Sequence, residues 1–210
     1  MIHHLRRATR SHLLRSLSTT TTTKPPPPDH VLEFWFAGDK SENMVRHWKG
    51  LKETDDEIRE KFLPTWEALS SKESAIAAEW SAGGPRSVLA LLIVWDQFSR
   101  ALWRGDPRSF HNDSKSGKLS MATIQSGVHK SDDSLDEYQQ HFFTMPLMHS
   151  EDLAVQQFNN DTFPSDNSKG HFAICERFGR FPKRNKALGR ESTPEEIEYM
   201  ASAEAQGRPY

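Results

Sequence analysis

Residues 87–103 read SVLALLIVWDQFSRALW, and this stretch decides the fold. Its first eight apolar residues, 88–95, offer no polar face. An α-helix with that pattern lies inside a core with neighbours on every side. The run is far shorter than the ~20 residues of a membrane-spanning helix. Gly83-Gly84-Pro85 marks its start. The two polar residues that follow the run, Asp96 and Gln97, fall at the rim of the core. Arg100 is placed i, i+4 from Asp96 for an ion pair on one helical face.

Outward from that helix, apolar residues recur at helical rather than strand spacing. Ile58, Phe62, Trp66 and Leu69 follow an i, i+4, i+8, i+11 series behind an acidic start at Asp55 and Asp56. Pro64 inside the series predicts a kink or a later start. A loop over 104–113 leads to a weakly amphipathic helix over 114–128. Another helix over 135–145 is expected to end at Pro146, and the next should carry His149, Leu153, Val155 and Phe158. After a polar loop over 161–169 come a short helix over 171–178 and a Gly/Pro-containing segment over 179–189. The last helix has a complete start signal: Thr193 as N-cap, Pro194 at the first position and Glu196 closing a capping box. The expectation is one all-α domain of antiparallel helices over residues 29–210.

The 27 basic and 29 acidic residues give a net charge of −2, so no global field draws the chain to nucleic acid or an anionic membrane. One cysteine, Cys175, excludes an intramolecular disulfide and a thiolate-rich zinc site within the chain. Residues 1–28 hold no acid, but carry Arg6, Arg7, Arg10, Arg15 and Lys24, with Leu5, Leu13, Leu14 and Leu17 able to share a helix face. That pattern reads as a mitochondrial transit extension followed by a Thr/Pro linker.

Three segments carry more polar chemistry than a helical core requires. The first is Asp96 with Arg100. The second is His149-Ser150-Glu151-Asp152, where an imidazole beside carboxylates suits a general base, with His149, Glu151 and Asp96 as catalytic candidates. If helical, it sets His149 and Asp152 i, i+3 on one face, where they could hold a divalent metal with His171. The third is residues 177–190, with four arginines, two lysines and no acid. Arg177, Arg180, Arg184 and Asn185 there could bind a carboxylate or phosphate. Phe178 and Phe181 make RNA a minor alternative. Each segment also reads as part of a buried ion network. No phosphate-cradling glycine loop, nucleophile elbow or tandem zinc-type histidine motif is present, so no cofactor is clearly implied.

Residues 31–36 (VLEFWF), 89–100, 142–152 (FFTMPLMHSED), 177–190 and 192–196 (STPEE) together resemble the domain of unknown function family 924. The resemblance implies a helical fold similar to the tetratricopeptide-like superfamily, with helical hairpins stacked in an arc, and implies no reaction. The family's usual motifs are close to DQFPRN and RFGRFPHRN. This chain has Ser99 and Ala101 in the first and Lys183 in place of histidine in the second.

From these residues we expect a charged groove lined by Asp96, Arg100, His149, Glu151, Asp152, Arg177, Arg180, Arg184 and Asn185. It would bind a small anionic ligand or the acidic end of a protein partner. The alternatives are a metal- or His-assisted hydrolase of an anionic metabolite, and a structural interaction domain.

Overall fold

The long apolar run forms the centre of the molecule because every side of it finds a partner. In the computed structural model, which describes residues 25–43, 51–202 and 205, α1 spans Pro28–Trp35, α2 Lys52–Ser70, α3 Ala75–Ser81 and α4 Pro85–Leu92. The chain then continues without a break through a π-helical stretch, Ile93–Phe98, into a last α-helical turn, Ser99–Leu102. Val88 to Val94 are at most 2% exposed. α1, α2 and α3 pack on this central helix. The predicted series Ile58, Phe62, Trp66 and Leu69 is buried against it, and the ring centroids of Phe62 and Phe98 are 5.0 Å apart. α2 runs through Pro64, so the proline does not set its start.

Two indole nitrogens inside this core find acceptors, as buried donors usually do. Trp95 Nε1 donates to the Leu69 carbonyl at 3.0 Å, and Trp66 Nε1 to the Ser99 hydroxyl at 2.7 Å. Ser99 in turn donates to the Trp95 carbonyl at 2.7 Å. The residue that stands where the resembled motif has proline therefore ties α2 to the central helix.

The second half follows as α5 Asp113–Gln125, α6 Glu137–His141, α7 Met145–His149, α8 Leu153–Thr162, α9 Asp166–Phe178 and α10 Pro194–Ala201. α5 packs on α7 and α8 on α9. Around α10, Ile174, Cys175, Phe181, Tyr199 and Ala205 form a smaller core of their own. The capping box read at Thr193 and Glu196 is present, with each side chain bonded to the other's backbone N–H. Among the described residues there is no strand, and no helix is long and apolar enough to cross a membrane.

The helices expected over 114–128 and 135–145 are shorter, Asp113–Gln125 and Glu137–His141, and three further boundaries differ. Pro146 lies in the first turn of α7 instead of ending a helix, since a proline there gives up only an N–H that would have no partner. α9 begins five residues earlier than the expected 171, because Ser165 caps it through a reciprocal bond with Ser168. His149 and Asp152 do not share a helix. α7 ends at His149, and the Asp152 carboxylate accepts the Ala154 N–H at 3.0 Å as the N-cap of α8. A short acidic side chain at a helix start competes for backbone donors and stops the turn from continuing. The basic extension over residues 1–24 lies outside the described residues.

α5 approaches the α7–α8 corner closely because Gly117 has no side chain. A Cβ there would lie 2.9 Å from Ser150 Cβ and 3.4 Å from the Pro146 carbonyl oxygen. Ser150 is itself fully buried. Gly117→Val should lower stability by about 2–3 kcal/mol through overpacking. It should appear as a lower urea midpoint at unchanged slope; an unchanged midpoint would mean the two elements do not touch there.

Candidate functional site

The π-helical stretch carries one extra residue per turn, and such widened turns are frequent where a helix serves a site. Asp96 lies within it and is 1% exposed. Its Oδ1 meets His149 Nδ1 at 2.7 Å and an Arg100 nitrogen at 3.1 Å, and its Oδ2 accepts from the Gln97 amide. Burial works against ionisation of Asp96, but Arg100 and His149 outweigh it and hold the carboxyl well below the usual range. Ionised Asp96 can only accept, so Nδ1 carries the hydrogen and a neutral His149 presents its lone pair at Nε2. Among the described residues Nε2 makes no hydrogen bond, and the imidazole is 18% exposed.

The rest of the cluster holds this pair in place. Arg100 grips Asp113 with two bonds of 3.1 and 2.9 Å. Arg184, 6% exposed, donates to the same carboxylate at 3.0 Å and to the His149 carbonyl at 2.9 Å. Its guanidinium lies 4.5 Å from the Phe181 ring centroid and 4.7 Å from that of Phe110. Burial pushes its pKa below the ordinary arginine value. Glu151 receives two bonds from Arg190, at 2.9 and 2.7 Å, and the Phe181 N–H at 2.9 Å. Burial opposes its charge too, yet these donors keep the carboxyl below its usual range. Asp96, Asp113 and Glu151 are thus matched by Arg100, Arg184 and Arg190.

The remaining candidates sit outside that cluster. Arg180 and Asn185 both donate to the buried Glu196, at 2.7, 2.8 and 3.1 Å, and Arg177 meets Glu195 at the surface. Asp152 faces Lys118 at 3.5 Å. His171 gives its Nδ1 to a bond with the Asn167 carbonyl and stands edge-on to Phe181. Among the described residues no three His, Cys, Asp or Glu side chains gather where they could hold a metal ion. Lys183 reaches the Ala205 carbonyl. Cys175 is buried, and burial with the neighbouring Glu151 charge pushes its thiol up to about 12, so it is no thiolate nucleophile at neutral pH.

Two partners in this cluster have no local signal in the sequence. Asp113 reads as the last residue of a loop, and Arg184 meets it across 71 positions. Arg190 was visible as one charge of a basic segment, but its carboxylate, Glu151, lies 39 positions away.

A family model described as "Bacterial protein of unknown function (DUF924)" matches residues 31–204. The solved structure of a protein of unknown function from Agrobacterium tumefaciens is similar, with a TM-score of 0.68 and 29% sequence identity. The match covers 83% of this chain and 96% of that one. No curated protein matches.

Asp96, Glu151 and Glu196, the last held at about 2 by the Arg180 side chain first of all, titrate lower folded than unfolded. Their stabilisation is complete above the unfolded carboxylate pKa of about 4 and is lost as pH falls through the folded values. The melting temperature should be flat from about pH 7 to 5 and drop steeply below about 4; a decline that begins above pH 5 would assign acid sensitivity to other groups. Asp113→Ala, which strands Arg184 without a carboxylate, should cost about 3–5 kcal/mol in denaturant unfolding. A cost below about 1 kcal/mol would mean that water replaces the carboxylate at no penalty.

Proposed function

The chain belongs to the DUF924 family, and we propose that its domain is a hydrolase of a small metabolite in which His149 is the general base. What supports this reading is the Asp96–His149 pair: a buried carboxylate fixes Nδ1 at 2.7 Å while Nε2 is left without a partner at a partly exposed position. A base must be oriented and reachable, and the bond to Asp96 and the partial exposure of the ring support both for this imidazole. Nε2 takes a proton from water as the oxygen attacks an electrophilic centre of the substrate, and the bond to the leaving group then breaks as the imidazolium returns that proton to it. The imidazolium that forms is balanced by Asp96, which remains ionised. Arg100 and Arg184 steady the pair.

A groove for a small anion or an acidic protein end draws less support, because Arg100, Arg177, Arg180 and Arg184 each already face a carboxylate. We also propose that the basic residues 1–28 direct import into mitochondria, as their arginine-rich, acid-free composition suggests.

The hydrolase reading is tested with p-nitrophenyl esters and phosphates, with and without a chelator. Turnover should survive the chelator and fall by about 10²–10⁴-fold in His149→Gln, with the melting temperature little changed. Turnover that His149→Gln leaves intact, or that the chelator abolishes, would contradict it. Residues 1–28 fused to a fluorescent protein should carry it into mitochondria, and a diffuse cytoplasmic signal would contradict the import proposal.

A further inference from the structure

Arg100 stands beside the proposed base with part of its guanidinium group unused. The N–H bonds of an arginine lie in one plane as a rigid fork. Here Nη1 and Nη2 grip Asp113 at 3.1 and 2.9 Å, and the other hydrogen of Nη1 goes to the Asp96 carbonyl at 2.8 Å. What remains is the edge formed by Nε–H and the second Nη2–H, which has no acceptor among the described residues. Asp113 and Asp96 are both buried, so the edges turned towards them are sealed. The Arg100 side chain is nevertheless 23% exposed, and that exposure falls on the part turned away from the two carboxylates. Two adjacent N–H donors on such an edge suit an oxygen acceptor that carries or develops negative charge.

The imidazole of His149 and the guanidinium of Arg100 meet the same oxygen, Asp96 Oδ1, at 2.7 and 3.1 Å, so the two groups stand side by side, and both are partly exposed. An electrophile seated between them has a base on one side and donors on the other. Charge decides which electrophile fits. Asp96, Asp113 and Glu151 are already balanced by Arg100, Arg184 and Arg190. A phosphate monoester would bring further negative charge beside two buried carboxylates, with no cation to compensate it. An uncharged carbonyl group brings none. When water attacks a carbonyl carbon, the oxyanion and the imidazolium arise together, and the site stays neutral at every stage.

We propose that the substrate is an uncharged carboxylic ester or amide, and that Arg100 is a second catalytic residue whose free edge holds the carbonyl oxygen. This inference rests on the hydrolase reading and names its substrate class. The water oxygen forms a bond to the carbonyl carbon as Nε2 takes the proton, and the π electrons of the C=O bond move onto the oxygen. Nε–H and Nη2–H of Arg100 donate to the oxyanion so formed. The C=O bond then re-forms, the bond to the leaving alkoxide or amine breaks, and the imidazolium gives the leaving group its proton. The grip on Asp113 uses a different edge, so the guanidinium is held still while it acts.

The test compares p-nitrophenyl acetate with p-nitrophenyl phosphate on the full chain, for the wild type, His149→Gln and Arg100→Lys. The wild type should favour the ester by at least about a hundredfold in kcat/KM. Lysine keeps a positive charge facing Asp113 and Asp96 but lacks the fork, so Arg100→Lys should lower kcat for the ester by about 10²–10³-fold and change KM little. The ¹⁵N pattern of the His149 ring should be the same in Arg100→Lys as in the wild type, which separates a lost donor from a displaced base. The proposal is overturned, with the hydrolase reading intact, if the wild type hydrolyses the phosphate as well as the ester, if Arg100→Lys keeps its kcat, or if the His149 pattern changes along with the loss of kcat. If the wild type turns over neither compound, or His149→Gln turns over the ester as fast, the hydrolase reading itself fails and takes the proposal with it.

Discussion

At Asp113, two guanidinium groups from distant parts of the chain converge on one carboxylate, and much of the second half of the molecule depends on that meeting. Arg100 arrives from the last turn of the central helix and Arg184 from the basic segment after α9. Arg184 is nearly as buried as a core leucine, so it needs its countercharge in place before the segment can close. Once closed, its second donor holds the His149 carbonyl and thus the end of α7. Desolvated ion pairs give little net stability against an apolar alternative, but their geometry is exacting. Here they fix where a single imidazole stands.

How far the sequence foretold this depends on the range of the interaction. The central helix, the buried series from Ile58 to Leu69, the Asp96–Arg100 pair and the capping box at Thr193 all arise from spacings of three to eleven residues, and each was legible. The break between His149 and Asp152 was not. An aspartate that can serve a helix face can equally cap the next helix, and only the packing of α8 decides which. Pro146 was misjudged for a related reason, since proline both ends helices and begins them. The partners of Arg184 and Glu151 lie 71 and 39 positions away, where pattern carries no information. The basic segment looked like an anion site when read alone. In the structure its four arginines find four carboxylates from three other places in the chain.

On the side of α7 towards α5 and the basic segment, buried carboxylates and guanidinium groups are matched almost atom for atom. Amid these paired charges, Nε2 of His149 makes no hydrogen bond to another described residue.

The central claim is that Asp96 fixes the protonation pattern of His149. It is tested most directly by long-range ¹H–¹⁵N correlation of the His149 ring in selectively labelled protein, at a pH where the imidazole is neutral. The account predicts that the hydrogen resides on Nδ1 and that Nε2 shows the shift of an unprotonated nitrogen, with the pattern lost in Asp96→Ala. A hydrogen on Nε2, or rapid exchange between the two tautomers, would contradict it.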